Sequence, residues 1–152
     1  MKILVISDTH GKIENAVSLI KRINPDYTFH LGDMADDCRR LEALFPAKVI
    51  ASVKGNNDYF DKEYPLERIV TLCEKKFFIC HGHKYNVKSS LLPITYKARE
   101  LGADVVLFGH THKALAENAD GLTILNPGST ESYGIIEIEE NEICAKVEKY
   151  VP

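Results

Sequence analysis

Five short apolar runs in this sequence each stop at or beside a glycine that is accompanied by aspartate, asparagine or histidine. Apolar runs of this length predict buried β-strands, and helical patterns between the first three predict parallel strands with right-handed crossovers. Polar residues that follow parallel strands meet at one edge of the sheet, where ligands of α/β proteins bind. The five junctions are Asp8-Thr9-His10-Gly11, Gly32-Asp33, Gly55-Asn56-Asn57-Asp58, His81-Gly82-His83 and Gly109-His110-Thr111-His112.

The first half of the chain alternates strand and helix patterns, whereas antiparallel strand patterns dominate the second half. Lys75 and Lys76 are expected to form the turn of the first antiparallel pair. A length of 152 residues predicts one domain over residues 1–152. The predicted fold class is α/β (mixed α and β), with two mixed β-sheets in a four-layer αββα sandwich flanked by helices. The helix patterns lie at residues 13–23, 35–45 and 93–102.

Composition narrows the classes of partner. A formal charge of -3, from 19 basic and 22 acidic residues, provides no electrostatic footprint for nucleic acid, and none is expected as a partner. No apolar run reaches the roughly 20 residues of a membrane span, so no membrane partner is expected. The first residues lack the pattern of a signal peptide, and the four cysteines show no CxxC spacing. These features predict reduced thiols and a cytoplasmic location.

The polar residues at the strand ends offer carboxylate oxygen, amide oxygen and imidazole nitrogen. The sequence contains no GxSxG nucleophile elbow and no GxxxxGK[ST] or GxGxxG phosphate loop. Taken singly, each residue is better explained by turn chemistry, helix capping or a packed histidine. Seven of them at five predicted strand ends favour a metal site instead, and mixed N and O donors favour a transition metal over Mg or Ca. The candidates are Asp8, His10, Asp33, Asn56, His81, His110 and His112.

The ordered series "DTHG", "GD", "GNND", "HGH" and "GHTH" resembles the calcineurin-like metallophosphoesterase superfamily. The chain length and the segment from "GHTHKA" to "NPGS" resemble the small single-domain bacterial and archaeal phosphodiesterases of that family. The resemblance implies two divalent transition-metal ions per chain, with Mn as the expected ion and Ni, Fe, Co or Zn as alternatives. It implies that Asp8, His10, Asp33 and His112 hold one ion, that Asp33, Asn56, His81 and His110 hold the other, and that Asp33 bridges the two.

The same resemblance implies a metal-dependent phosphoesterase that hydrolyses a small phosphoester by a two-metal mechanism with a bridging hydroxide as nucleophile. Monoesterases of this superfamily often carry GNH[DE], whose histidine can protonate the leaving group. Asn57 occupies that position here, and an amide cannot act as a general acid. A phosphodiesterase is therefore favoured. The alternatives are a phosphomonoesterase and a non-catalytic metal-binding scaffold on the same fold, as in the retromer subunit that resembles these enzymes.

Asn57, Asp58 and His83 are candidates for supporting a ligand or contacting substrate. For Asp58, support of Asn56 and capping of a helix are equal alternatives, and for His83 a purely structural role is an equal alternative. His30 lies inside a strand pattern and is expected to be a packed or supporting histidine. The oligomeric state stays open, and a homo-oligomer is compatible with the sequence.

The segments around residues 57–65 and 84–93 are expected to shape the substrate pocket. Tyr59, Phe60 and Tyr85 are candidate contacts there, although ordinary packing explains them equally well. The segment 126–129, "NPGS", is expected to be a plain turn. The hydroxyl groups expected to make local turn hydrogen bonds are those of Thr9, Thr111 and Ser129.

Overall fold

The computed structural model describes residues 1–152, which form ten β-strands and three α-helices. The strands are β1 (Lys2–Ile6), β2 (Tyr27–His30), β3 (Val49–Ser52), β4 (Glu67–Leu72), β5 (Lys75–Cys80), β6 (Val105–Leu107), β7 (Leu115–Ala119), β8 (Leu122–Asn126), β9 (Ser132–Glu139) and β10 (Glu142–Lys149). The helices are α1 (Glu14–Ile23), α2 (Ala35–Leu44) and α3 (Leu92–Glu100), with short 3-10 helices at Asn56–Asp58 and His83–Tyr85. None of the helices has the length and apolar character that a membrane-spanning helix requires.

The strands form two five-stranded mixed sheets, which confirms the predicted sheet composition. The first sheet has the order β10-β9-β1-β2-β3, in which β1, β2 and β3 are parallel and β9 runs antiparallel to β1. The second has the order β4-β5-β6-β8-β7, in which β5, β6 and β8 are parallel. Antiparallel strands β4 and β7 form the edges of the second sheet. The parallel strands thus occupy the interior of the second sheet, whereas in the first sheet β1 and β2 are interior and β3 is an edge strand.

The two sheets pack face to face on a shared apolar core. Phe29 of β2 and Phe77 of β5 meet there with ring centroids 5.5 Å apart, and both are fully buried. The outer face of the first sheet packs on α1 through residues such as Leu4, and the outer face of the second packs on α3 through residues such as Phe78. Strands covered on both faces read as continuous apolar runs, which explains the sequence pattern. The four-layer αββα arrangement is confirmed.

The predicted turn at Lys75 and Lys76 was wrong. Both lysines belong to β5, and the turn is formed by Cys73 and Glu74, which have φ values of 49° and 62°. Lys76 is held in the strand from both sides: its backbone N–H donates to the Asp104 carboxylate (2.8 Å) and its ammonium donates to a carbonyl of the segment after α3 (3.0 Å). A lysine can occupy a strand when its apolar stem is partly buried and its ammonium group is hydrogen-bonded. These contacts of Lys76 could not be predicted from residue type alone.

Candidate metal centre

The five polar junctions lie after β1, β2, β3, β5 and β6, which are parallel strands of the two packed sheets. Loops at the carboxyl ends of such strands converge on one crevice. Asp8 and Asp33 follow the two central strands of the first sheet, and His81 and His110 follow those of the second. The site therefore lies where the loops of both sheets meet.

The carboxylate of Asp8 lies close to three of the predicted histidine ligands. Its Oδ1 atom lies 3.1 Å from His112 Nε2, 3.8 Å from His10 Nε2 and 3.8 Å from His81 Nε2. Its other oxygen, Oδ2, accepts hydrogen bonds from the Ser7 hydroxyl (2.5 Å) and the His110 backbone N–H (3.1 Å). One carboxylate oxygen is thus fixed by the protein, and the other faces the imidazoles.

Two groups of potential ligand atoms result, each with its atoms within 4.8 Å of one another. The first group is Asp8, His10 and His112, and the second group is Asp8, Asp33 and His81. Asp8 belongs to both, whereas Asp33 belongs to the second group only. The bridging role of Asp33 stays a prediction.

The other two predicted ligands, His110 and Asn56, belong to neither group. The ring of His110 lies beside that of His81, with centroids 5.1 Å apart. Asn56 begins the 3-10 helix after β3, where it is exposed and makes no side-chain hydrogen bond. The structure thus brings the His110 ring next to the His81 ring and leaves the Asn56 amide without a hydrogen-bond partner.

His81 carries the clearest sign that the second group suits a metal ion. Its Nδ1 lies 2.7 Å from the Leu31 carbonyl oxygen and therefore donates its proton there. The lone pair of Nε2 then faces the Asp33 and Asp8 carboxylates at 3.4 and 3.8 Å, and this buried atom has no hydrogen-bond partner. Two buried carboxylates beside this nitrogen require a positive charge, which a proton on Nε2 or a bound metal ion supplies. Metal-bound histidines characteristically donate their other N–H in this way, so the residues present fit a metal ion.

The pKa shifts agree with a demand for positive charge. Burial lowers the pKa of His81, but the nearby Asp33 and Asp8 carboxylates outweigh burial and leave the pKa raised. Burial raises the pKa of Asp33, but contact with His81 and the backbone N–H of Asn57 outweigh it and lower the pKa to about 2. The first shift favours a proton on His81 while no metal ion is bound, and the second favours the ionised carboxylate of Asp33.

The backbone of the site is strained at the predicted ligands. Left-handed backbone is rare in residues with a side chain, costs on the order of 1–3 kcal/mol per residue and concentrates at functional sites. An added Cβ at Gly55 would collide with Asp33, and one at Gly109 would collide with Ser7 and Asp8. The predicted ligands with positive φ are Asp8 (56°), His10 (46°), Asp33 (47°), His110 (67°) and His112 (58°).

Comparison with known proteins identifies the family to which this chain belongs. The model of the calcineurin-like phosphoesterase superfamily domain matches residues 1–141. The chain is 39% identical to the probable metallophosphoesterase YsnB of Bacillus subtilis (strain 168), over 93% of this chain and 86% of YsnB. This chain belongs to the calcineurin-like phosphoesterase superfamily. It is also 32% identical to the phosphodiesterase MJ0936 of Methanocaldococcus jannaschii, over 93% of this chain and 96% of that protein.

A solved structure of this superfamily has the same fold. The crystal structure of a conserved protein from Streptococcus pneumoniae TIGR4, described as a predicted phosphoesterase, superposes with a TM-score of 0.82 at 29% sequence identity. The superposition covers 98% of this chain and 89% of that chain. The two-sheet architecture is therefore that of a phosphoesterase of the calcineurin-like superfamily.

The Asp58 carboxylate connects two loops of the site by hydrogen bonds. Its Oδ2 accepts the backbone N–H groups of Asp33 (3.0 Å) and Gly55 (2.8 Å), and its Oδ1 accepts that of Ala35 (2.7 Å). The carboxylate is buried, so each of these hydrogen bonds replaces one to water. Both predicted roles apply: Asp58 supports the loop that carries Asn56, and it binds the first N–H of α2.

Asn57 contacts the Asp33 carboxylate directly. Its backbone N–H donates to Oδ1 (3.1 Å) and its side-chain amide donates to Oδ2 (2.8 Å). His83 begins a 3-10 helix with its ring centroid 5.6 Å from that of His81 and 6.1 Å from that of His110. Its Nδ1 is buried without a hydrogen-bond partner. Asn57 therefore positions a predicted ligand, and His83 extends the row of imidazoles.

A second buried carboxylate, Asp37, fixes the loop after β1. Its Oδ2 accepts hydrogen bonds from the Thr9 hydroxyl (2.6 Å) and the Gly11 N–H (2.7 Å). His30 is packed, as expected: Nδ1 accepts the Gly32 N–H (3.2 Å), so Nε2 carries the proton and donates to the Thr9 oxygen (3.1 Å). Thr9 therefore links Asp37 to His30 instead of making only a local turn bond.

Asn126 is the supporting residue that sequence reasoning missed. Its fully buried side chain donates to the Gly109 carbonyl (3.0 Å) and the Thr111 hydroxyl (2.9 Å), and accepts the Gly128 N–H (2.9 Å). It thereby holds the loop that carries His110 and His112. The sequence did contain a signal for Asn126. Strand β8 is parallel to β6, so the apolar run "LTIL" followed by Asn-Pro-Gly is a sixth polar junction at the same sheet edge.

The aromatic candidates divide into one structural residue and two exposed ones. Tyr85 donates its hydroxyl to Glu67 (2.7 Å) and packs edge-on against Phe78, so ordinary packing explains it. Tyr59 and Phe60 are 79% and 91% exposed and contact each other beside the 3-10 helix of Asn56.

Asp58→Asn is expected to weaken both the fold and the metal site. The amide replaces an acceptor that two backbone N–H groups share, which costs about 1–3 kcal/mol of unfolding free energy. Metal affinity is expected to fall about 10- to 100-fold, as for other residues that support ligands. Urea unfolding of the metal-free protein and calorimetric titration with Mn²⁺ measure the two effects. Asp120→Asn, at an exposed turn, is the matched control, and an Asp58→Asn variant that behaves like this control would contradict the assigned role.

His30 is expected to make the metal-free protein acid-sensitive. Burial lowers the pKa of His30 to about 4, although the nearby carboxylates of Asp37 and Asp8 oppose the shift. Between the ordinary value near 6.5 and about 4, the unfolded chain binds a proton that the native state does not. Stability is therefore lost as pH falls through this window, by about 3 kcal/mol in total. Urea unfolding at pH 7 and pH 4.5 should show a smaller loss in His30→Gln, and an equal loss in both proteins would contradict the assignment.

Proposed function

We propose that this protein is a phosphodiesterase that binds two divalent transition-metal ions and hydrolyses a small phosphodiester. The observation that carries the proposal is the buried Nε2 atom of His81, which faces Asp8 and Asp33 without a hydrogen-bond partner. The first group, which shares Asp8 with the second and adds His10 and His112, is proposed to provide ligands for a second ion. The names of the relatives, metallophosphoesterase and phosphodiesterase, support the reaction class.

The proposed ligand sets follow the family pattern. In this assignment Asn56 turns its free amide oxygen toward the second group, where His110 already lies beside His81. Mn is the ion proposed from the family resemblance, and Ni, Fe, Co and Zn are the alternatives, since imidazole, carboxylate and amide donors suit all of these metals. One ion is assigned to Asp8, His10, Asp33 and His112, and the other to Asp33, Asn56, His81 and His110.

The chain's own residues prepare the site for an anionic substrate. When bound, the two ions supply Lewis-acid stabilisation of charge on the phosphate oxygens and activate the attacking water. Asp8 and Asp33 are the only predicted ligands with negative charge, so two dications leave the site net positive and attractive to a phosphodiester anion. The Leu31 carbonyl fixes the orientation of the His81 ring, and Ser7 fixes the Asp8 carboxylate, so little reorganisation accompanies binding.

The position of Asn57 favours diesters over monoesters. Its amide is committed to Asp33 and has no proton to give to a leaving group. Burial lowers the pKa of His83, and the nearby charge of His81 lowers it further, so His83 is a poor proton donor at neutral pH. Leaving groups that depart as stable anions are therefore the expected substrates.

The Mn-loaded protein is expected to hydrolyse bis(4-nitrophenyl) phosphate with a higher kcat/KM than 4-nitrophenyl phosphate. The two compounds release the same leaving group, so the comparison isolates the preference for a diester. A higher kcat/KM for the monoester would overturn the diester preference and favour a phosphomonoesterase. Binding of metal without turnover of either compound would favour the scaffold.

His112→Ala is expected to reduce kcat for the diester on the order of 100-fold or more because it removes a predicted ligand. The His112 side chain is half exposed, so its loss leaves the core intact. Glu117→Ala, an exposed position on β7, is the control and should retain full activity. Full activity in His112→Ala would remove that residue from the site.

A further inference from the structure

Two open cavities flank the short segment 113–115, which directly follows the predicted ligand His112. Ala114 and Leu115 contribute to both cavities. The larger, about 890 Å³, includes His112 itself and extends between β7 and β10. The smaller, about 420 Å³, adjoins Thr111, the residue between His110 and His112. Each cavity therefore adjoins the loop that carries His110 and His112 and has the volume for one ester group of a phosphodiester.

The larger cavity is unsuited to a group with additional negative charge. Glu131 and Glu148 line it, and Lys149 is its one lysine. Glu148 also accepts a hydrogen bond from the Tyr133 hydroxyl and forms an ion pair with Lys146 (both 2.6 Å), whereas Glu131 forms no ion pair. An anionic ester group placed here would meet more carboxylates than ammonium groups.

The smaller cavity has the opposite character. Its apolar wall is formed by Val87, Leu91, Phe108 and Leu115, and its only charged residues are Lys88 and Lys113. Both lysines are exposed, and neither ammonium group makes an ion pair or a hydrogen bond within the protein. The polar side chains of the wall, Thr111 and Asn126, are hydrogen-bonded to each other and to the loop. The lysines are thus the groups left free to bind a ligand.

We propose that this smaller cavity is a specificity subsite for one ester group of the substrate, and that this group is an apolar ring or chain bearing a second anionic group. The proposal rests on the proposed phosphodiesterase function. The apolar wall removes the ring or chain from water, and Lys88 and Lys113 at the rim bind the anionic substituent.

The test uses two diesters with the same leaving group, phenyl 4-nitrophenyl phosphate and 4-carboxyphenyl 4-nitrophenyl phosphate. They differ by one carboxylate on the other ester group. The wild-type protein is expected to prefer the carboxylated diester in kcat/KM by about fivefold, the effect of two partly exposed charge pairs. The double variant Lys88→Met, Lys113→Met should lose this preference and keep its rate on the uncharged diester.

Lys149→Met is the matched control, because Lys149 lines the larger cavity. Its preference should equal that of the wild type. A preference that survives in the double variant, or that is lost in Lys149→Met instead, would overturn the proposal. Leu91→Ala should lower the ratio of kcat/KM for the phenyl diester to that for methyl 4-nitrophenyl phosphate. An unchanged ratio would remove the apolar wall from the site.

Binding without turnover separates this inference from the proposed function. Benzylphosphonate and 4-carboxybenzylphosphonate contain a P–C bond in place of the ester, and calorimetry measures their affinity for the Mn-loaded protein. Tighter binding of the carboxylated compound that depends on Lys88 and Lys113, in a protein without diesterase activity, would support the subsite and contradict the proposed function. Diesterase activity with equal affinity for both compounds would contradict the subsite alone.

Discussion

Two buried carboxylates and a buried imidazole with a free lone pair face one another at the meeting point of the two sheets. Burial without compensation is costly for each of these groups, and their mutual arrangement adds to the cost. A cation, either a proton on His81 or a bound metal ion, balances the charge of Asp8 and Asp33 in this buried position. The loops, glycines and supporting side chains around the site hold these charged groups in place.

The surrounding loops are held by side chains that accept or donate several hydrogen bonds at once. Asp37 fixes the loop after β1, Asp58 joins the loops after β2 and β3, and Asn126 fixes the loop after β6. These bonds compensate for the left-handed backbone of the predicted ligands, including Asp8 and His112. Hydrogen bonds from Asp37, Asp58 and Asn126, which are not themselves predicted ligands, therefore offset the cost of backbone strain at the ligands.

The strand ends could be predicted from sequence because apolar runs covered on both faces are continuous and stop abruptly at polar residues. The order of the strand and helix patterns predicted the two-sheet sandwich, and the order of the five polar motifs indicated the family. The turn at Cys73 and Glu74 was placed two residues late, since the pairing of Lys76 with Asp104 depends on tertiary contacts. The support given by Asn126 and Asp37 was missed for a similar reason: a residue of turn or capping type reveals its long-range partners only when the chain is folded.

The central claim is that Asp8, Asp33 and the surrounding histidines hold two ions close together rather than one. Electron paramagnetic resonance of the protein loaded with Mn²⁺ tests it directly, since ions about 3.5–4 Å apart are magnetically coupled. A signal from exchange-coupled Mn²⁺ that saturates at two ions per chain is the expected result. Saturation at one ion per chain, with only the spectrum of isolated Mn²⁺, would contradict the account.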